Sequence, residues 1–127
     1  MHAFDSDVIF QAATFEAVYR EVGEVPVPAW AFEALGLPAE ERNFDYAQML
    51  APDGKYVDLW APGASVPDIT RVETQLWLMY LIGSYVDIGV EAVHLGQVYL
   101  MGMNDRDWQE WDSFLKKVRA WVYPRAR

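Results

Sequence analysis

The residues with chemical capacity gather at a few places in the chain. Glu16 ends the apolar stretch "DVIFQAATFE" (7–16), and "VEAVHLGQVYL" (90–100) carries His94, Gly96 and Gln97. A carboxylate can serve as acid, base or nucleophile. An imidazole and an amide can hydrogen-bond hydroxyls, and the imidazole can also assist proton transfer. In "KYVDLW" (55–60), Asp58 stands between Tyr56 and Trp60. That pattern suits a sugar site, because aromatic rings stack on sugar faces and acids bind hydroxyls. Trp30 and Trp60 belong to the long connection after the first strand and are the candidates for stacking. Trp77, Trp108 and Trp111 fall on predicted helices and read as core or interface. Each candidate has a plainer reading: Glu16 as a solvated glutamate opening a loop, His94 as a hydrogen-bonded core histidine, Asp58 as an exposed acid in a hairpin. Gln11 is the strongly polar residue inside the first strand. A structural network is its first expectation and substrate contact its second.

These residues depend on a few elements for their placement. Residues 7–16 read as a strand apolar enough to be buried on both faces, as in a parallel sheet. A helix over 8–20 is the competing reading, since Ala12, Ala13 and Glu16 are good helix formers. Residues 17–64 form a long insertion broken by Pro and Gly. It holds a short helix in "PAWAFEALG" (28–36), a helical turn in "NFDYAQML" (43–50), a turn at "PDGK" (52–55) and a minor strand at 55–60. A helix is expected over 66–87, opened by the overlapping capping boxes "SVPD" and "TRVE" and stopped by Gly89. A second strand follows over 90–100. A last helix over 105–122, capped by Asn104, turns Trp108, Trp111, Leu115, Val118 and Val122 to one face. His94 and Gln97 have opposite parity in a strand, so they share a face only if Gly96 introduces a bulge.

Strands alternating with helices point to the α/β class and a parallel sheet with helical crossovers. Two features stand out. About 50 residues separate the first strand from the long helix. Connections of that length leaving a strand end often carry binding sites. In the long helix, "LWLMYLI" is apolar around more than a full turn, so it needs cover on two sides.

Composition excludes several classes. The chain has 127 residues, no cysteine, and 10 Lys+Arg against 19 Asp+Glu, a net charge of −9. Disulfides, thiolate metal sites and cysteine nucleophiles are excluded. The negative charge disfavours nucleic acid and anionic membrane surfaces. The longest apolar run is far too short to span a bilayer. "MHAFDSD" has neither a basic n-region nor an apolar h-region, so no signal peptide is expected and a cytoplasmic location is the default. His2, Asp5 and Asp7 form a weak grouping of metal-ligand types, and the chain lacks HExxH, an EF-hand loop, a phosphate loop, GxGxxG and GxSxG. Neither metal nor cofactor is expected.

The segments "IFQAATFE", "VPVPAWAFEALGLPAEERNFDYAQML", "PDGKYVDLW" and "GASVPDITRVETQLWLMYLIGSYVDIGVEAVHLGQVYLMG" together resemble part of a large bacterial (β/α)8-barrel family whose members look similar to glycoside hydrolases. The resemblance covers nearly the whole chain. It implies a partial (β/α)8 barrel segment holding about two βα units. A complete barrel takes roughly 250 residues. The implied partners are therefore the remainder of a larger barrel or further copies in a homo-oligomer, together with a carbohydrate ligand. In such a barrel the C-terminal strand ends form the active face. Glu16 is then the catalytic candidate, as acid/base or nucleophile. Its partner carboxylate would lie about 5–5.5 Å away in a retaining enzyme and about 6.5–9.5 Å away in an inverting one. His94, Gln97, Asp58, Trp60, Trp30 and Gln11 would line the sugar site. The alternative is a non-catalytic sugar-binding or interaction module that completes its fold with another chain.

Overall fold

The chain is organised around one central helix. The computed structural model describes residues 11–90 and 92–125. The expected strand residues 7–10 and the grouping of His2, Asp5 and Asp7 lie outside them. The elements, in order, are β1 (Gln11–Ala13), β2 (Val18–Tyr19), a 3-10 turn (Arg20–Glu24), α1 (Ala29–Ala34), a 3-10 turn (Tyr46–Met49), β3 (Ala64–Ser65), α2 (Val72–Asp87), β4 (Ala92–His94), α3 (Val98–Met101), a 3-10 turn (Arg106–Trp108) and α4 (Gln109–Val122). The class is mixed α/β. β1 pairs in parallel with β4, with Gln11 opposite Ala92 and Ala13 opposite His94. β2 and β3 form a separate antiparallel pair.

α2 begins at Val72, later than the capping boxes predict, and no side chain caps it. The hydroxyl and acid of the expected boxes work elsewhere. Asp68 is fully buried, and its Oδ1 accepts from the backbone N–H of Thr70 at 3.0 Å and from its hydroxyl at 2.8 Å. Asp68 Oδ2 accepts from Asn104 Nδ2 at 2.8 Å. This lock holds 66–70 in a buried, non-helical path, which delays the helix. The C-terminal stop is as expected. Gly89 adopts φ +92°, and Val90 and Gly89 donate to the carbonyls of Tyr85 and Val86. That reciprocal pair satisfies the last turn and needs a left-handed residue at Gly89.

The cover that the apolar face of α2 requires comes largely from the insertion. α2 packs against α1, the Tyr46–Met49 turn and α4. Val18, Val22, Val27, Phe32, Leu35, Phe44 and Met49 share one core with Leu76, Leu78, Met79 and Ile82. Residues 17–64 are therefore part of the core and not a loose lid. Their apolar side chains fall at irregular spacing, so no single periodicity reports this packing. Residues 55–60 form turns in place of the expected minor strand.

Two corrections concern the C-terminal third. The strand expected over 90–100 ends at His94. Gly96, at φ +64°, turns the chain, and α3 follows. α4 starts at Gln109, not 105, and Asn104 is occupied with Asp68. Its cap comes from Asp105, whose Oδ1 and Oδ2 accept from the backbone N–H groups of Glu110 and Trp111 at 2.8 and 2.9 Å. The buried face of α4 is Trp111, Phe114, Val118 and Trp121. Trp108 precedes the helix and is 50% exposed.

Candidate functional site

The parallel pairing of β1 and β4 brings the two polar strand ends together. Thr14 donates its backbone N–H to the His94 carbonyl at 2.8 Å, extending the ladder by one bond. Beyond it the chains diverge, and Glu16 and Gln97 face each other. Glu16 Oε1 accepts from Gln97 Nε2 at 3.0 Å, and Oε2 accepts from the Gln97 backbone N–H at 3.2 Å. A carboxylate only accepts, so the amide must present its nitrogen to Glu16. Its oxygen is then left for the Tyr99 hydroxyl, which donates to Oε1 at 3.0 Å. On the other side, the Trp60 indole N–H donates to the Glu16 carbonyl at 3.1 Å.

Gly96 makes this approach possible. A Cβ at that position would stand 2.5 Å from Glu16 Oε2 and 3.0 Å from the Thr14 carbonyl. Both the left-handed backbone and the missing side chain are required there. Gly96 thus produces a turn and not a bulge within the strand. The two residues are brought to one rim by the chain leaving the strand.

The Glu16 carboxyl is held below its ordinary value of 4.5. The largest cause is a hydrogen bond from its own backbone N–H. The two bonds from Gln97 and the neighbouring His94 add to it, and together they outweigh the opposing effect of burial. The carboxylate is therefore ionised at neutral pH, which suits a base, a nucleophile or a hydroxyl acceptor rather than a proton donor.

Of the residues expected in the site, Glu16, Gln97 and Trp60 form one hydrogen-bonded group, and His94 stands beside it, exposed at the end of β4. Asp58 has a different task. It adopts φ +57°, accepts from the Gly63 N–H at 2.8 Å and donates its own N–H to Ser65 Oγ at 2.8 Å. Ser65 Oγ in turn meets the Tyr46 hydroxyl at 2.7 Å. Asp58 thereby shapes the turn that presents Trp60, so it positions the site and one of its carboxylate oxygens is already engaged.

Trp30 is a packing residue. Its ring stacks on Trp121 with centroids 5.0 Å apart and lies against Gly83 of α2, where a Cβ would come within 2.5 Å of it. Gln11 is exposed at the N-terminal end of β1, away from Glu16.

Tyr99 was not among the sequence candidates. Its spacing from Gln97 was the available signal, but it reads as ordinary strand alternation until the turn at Gly96 is known. Phe15 and Tyr99 are 68% and 62% exposed. Tyr99 and Trp60 are the exposed rings hydrogen-bonded to the Glu16–Gln97 pair.

A wide cleft lies elsewhere. It measures about 960 Å³ and is lined by Arg42–Gln48 and Thr70–Glu73 with Gly23. Its buried charge is matched internally. Arg42 forms a two-pronged ion pair with the buried Glu73 at 2.7 and 2.8 Å, and Glu73 also accepts from the Asp45 N–H at 2.7 Å. Arg71 is engaged by Gln48. The Glu73 hydrogen bonds raise the Arg42 pKa further above its ordinary value. The Arg42–Glu73 pair joins the insertion to α2.

Among the described residues, no group of three or more His, Asp or Glu side chains is placed to hold a metal ion. No helix among them is long and apolar enough to cross a membrane. In comparisons with known proteins, no family model, no curated protein and no solved structure matches the chain.

Proposed function

We propose that the chain binds carbohydrate at the C-terminal rim of β1 and β4, as a unit of a partial (β/α)8 arrangement completed by the rest of a larger barrel or by another copy. The observation that carries this reading is the ionised Glu16 carboxylate, fixed by Gln97, with two exposed rings hydrogen-bonded to the same group, Tyr99 through Gln97 and Trp60 through the Glu16 carbonyl. Sugars present hydroxyl donors on their edges and C–H groups on their faces. A fixed acceptor beside exposed rings serves both. The net charge of −9 favours a neutral ligand over an anionic one. The parallel pairing of two strands separated by α2 supports the barrel part, because parallel strands need such crossovers.

A hydrolytic reading draws on the same observation. A carboxyl held below its ordinary value matches the nucleophile or base of a glycoside hydrolase and not its acid. Among the described residues, none of the groups hydrogen-bonded to the Glu16 side chain is a second carboxyl. Hydrolysis would therefore need an acid from beyond this immediate group.

The test is calorimetric titration with a panel of neutral oligosaccharides, alongside an assay on aryl glycosides, for the wild type and Glu16→Gln. Saturable binding that weakens at least tenfold in Glu16→Gln supports the reading. Turnover that disappears in Glu16→Gln extends it to hydrolysis. Absence of binding and turnover in a folded wild-type chain overturns it.

A further inference from the structure

The cleft lined by Arg42–Gln48 and Thr70–Glu73 holds two arginines with different surroundings. The Arg42 guanidinium is spent on the buried Glu73 carboxylate, which it meets at 2.7 and 2.8 Å. Arg71 is held by neutral groups. Its Nε donates to the Gln48 carbonyl at 3.0 Å, and its Nη2 donates to the Gln48 side-chain oxygen at 2.7 Å. Among the described residues no carboxylate forms an ion pair with it. Both bonds use the Nε–Nη2 edge. The Nη1–Nη2 end, a fork that can meet a carboxylate at two points, is without a partner among the described residues.

Asp45 lines the same cleft. It occupies the N-cap position of the Tyr46–Met49 turn, yet its side chain makes no cap bond there. Among the described residues no cation pairs with it. Its backbone is fixed on both sides. The Asp45 N–H donates to Glu73 at 2.7 Å, and the Asp45 carbonyl accepts from the Gln48 N–H at 3.1 Å. Arg71 and Asp45 are therefore tied to the same 3-10 turn, line one cleft of about 960 Å³, and do not pair with each other. Opposite charges anchored in this way leave a gap that a ligand carrying both charges can bridge. The cleft falls within the size range of small-molecule sites. Val72, 53% exposed, adds apolar surface to its wall.

We propose that this cleft is a second ligand site, for a small zwitterion of the α-amino-acid class with an apolar side chain. The open fork of Arg71 takes the carboxylate, and the Asp45 carboxylate takes the ammonium. A polyanion would meet Asp45 and a chain of net charge −9. A simple cation would meet Arg71, and a neutral ligand gains no ion pair from either group. The Arg42–Glu73 pair is complete without a ligand, and it steadies the site by holding the Asp45 N–H. The cleft shares no lining residue with the Glu16–Gln97 group, so this site stands independently of the sugar reading.

The experiment is calorimetric titration of the intact chain with phenylalanine, with hydrocinnamate, which lacks the ammonium, and with phenethylamine, which lacks the carboxylate. The proteins are wild type, Arg71→Gln, Asp45→Asn and Glu16→Gln. Wild type should bind phenylalanine saturably and each single-charge analogue about tenfold or more weakly, the worth of one hydrogen-bonded charge. Arg71→Gln should lose about tenfold or more on phenylalanine and hydrocinnamate and nothing on phenethylamine. Asp45→Asn should lose as much on phenylalanine and phenethylamine and nothing on hydrocinnamate. Glu16→Gln should bind phenylalanine as the wild type does. Damage to the fold would weaken all three ligands alike, so a uniform loss in Arg71→Gln or Asp45→Asn would overturn the role of that residue. An analogue that binds wild type as tightly as phenylalanine would overturn the zwitterion. Loss of phenylalanine binding in Glu16→Gln, or its absence in folded wild type, would overturn the site.

Discussion

Replacing Gly96 with alanine tests the geometry of the rim most directly. Two separate costs are expected. The first is conformational: at φ +64° an L-residue costs about 1–2 kcal/mol relative to glycine. The second is steric and electrostatic. The new Cβ would stand 2.5 Å from Glu16 Oε2, so the carboxylate must move and at least one bond from Gln97 is lost. A hydrogen bond to a charged group contributes about 1.5–3 kcal/mol. Part of that is recovered from water at a partly exposed site, so about 1 kcal/mol is the fair figure here. The Thr14 carbonyl, 3.0 Å from the same Cβ, is backbone and cannot swing aside. The total is about 2–3 kcal/mol. Gly54→Ala isolates the first cost, since Gly54 adopts φ +79° with nothing within 4 Å of a built Cβ. It should destabilise by about 1–2 kcal/mol. Urea unfolding of wild type and both variants gives the difference, and a carboxyl NMR titration reports whether the Glu16 pKa returns toward its ordinary value in Gly96→Ala. Equal destabilisation by the two substitutions, with the Glu16 titration unmoved, would refute the claimed contact between Gly96 and the carboxylate.

Further outcomes are expected. Trp30→Ala should destabilise by about 3–5 kcal/mol in chemical unfolding and leave sugar affinity unchanged in the surviving folded protein, because its ring is packed on Trp121 and Gly83; a selective loss of affinity at full stability would contradict that. Trp60→Phe keeps a ring but removes the indole donor to the Glu16 carbonyl, so stability should fall by about 0.5–1.5 kcal/mol, while Trp60→Ala should lose more ligand affinity than Trp60→Phe in the same calorimetric titration. The folded-state pKa of Glu16 lies below 4.5. The unfolded chain therefore binds a proton more readily, and the contribution of Glu16 to stability is present above pH 4.5 and lost as the pH falls through the folded value. The stability gap between wild type and Glu16→Gln should accordingly shrink on acidification below 4.5, and a gap that widened would mean that the carboxyl is not held down in the native state.

Strong local signals survived into the fold. Gly89 ended α2 as expected because a left-handed stop is a property of the residue itself. The α/β class and the parallel relation of the first and last strands were legible from apolar runs separated by a helical period. The candidates at strand ends, Glu16 and Gln97, met because two parallel strands must end on the same side. Misreadings arose where a polar side chain had several partners available. Asp68 and Asn104 read as parts of local helix caps, but Asn104 bonds to Asp68 across segments far apart in the chain, and the other oxygen of Asp68 holds Thr70. Trp108 fitted the apolar stripe of α4, but Asp105 shifts the start of that helix and turns the indole outward.

Residue type and spacing were enough to exclude thiol chemistry, to show that two long helices exist and where the first of them stops, and to put polar residues at the strand ends. Those properties depend on composition and on contacts within a turn or two. Tertiary structure alone decided that Trp30 is core and Trp60 is rim, that Asp58 shapes a turn, and that Tyr99 joins the Glu16–Gln97 pair. The reason is physical. Each of those roles is set by partners distant in sequence, such as Trp121 for Trp30 and the Glu16 carbonyl for Trp60, and periodicity carries no information about which distant group a side chain will meet.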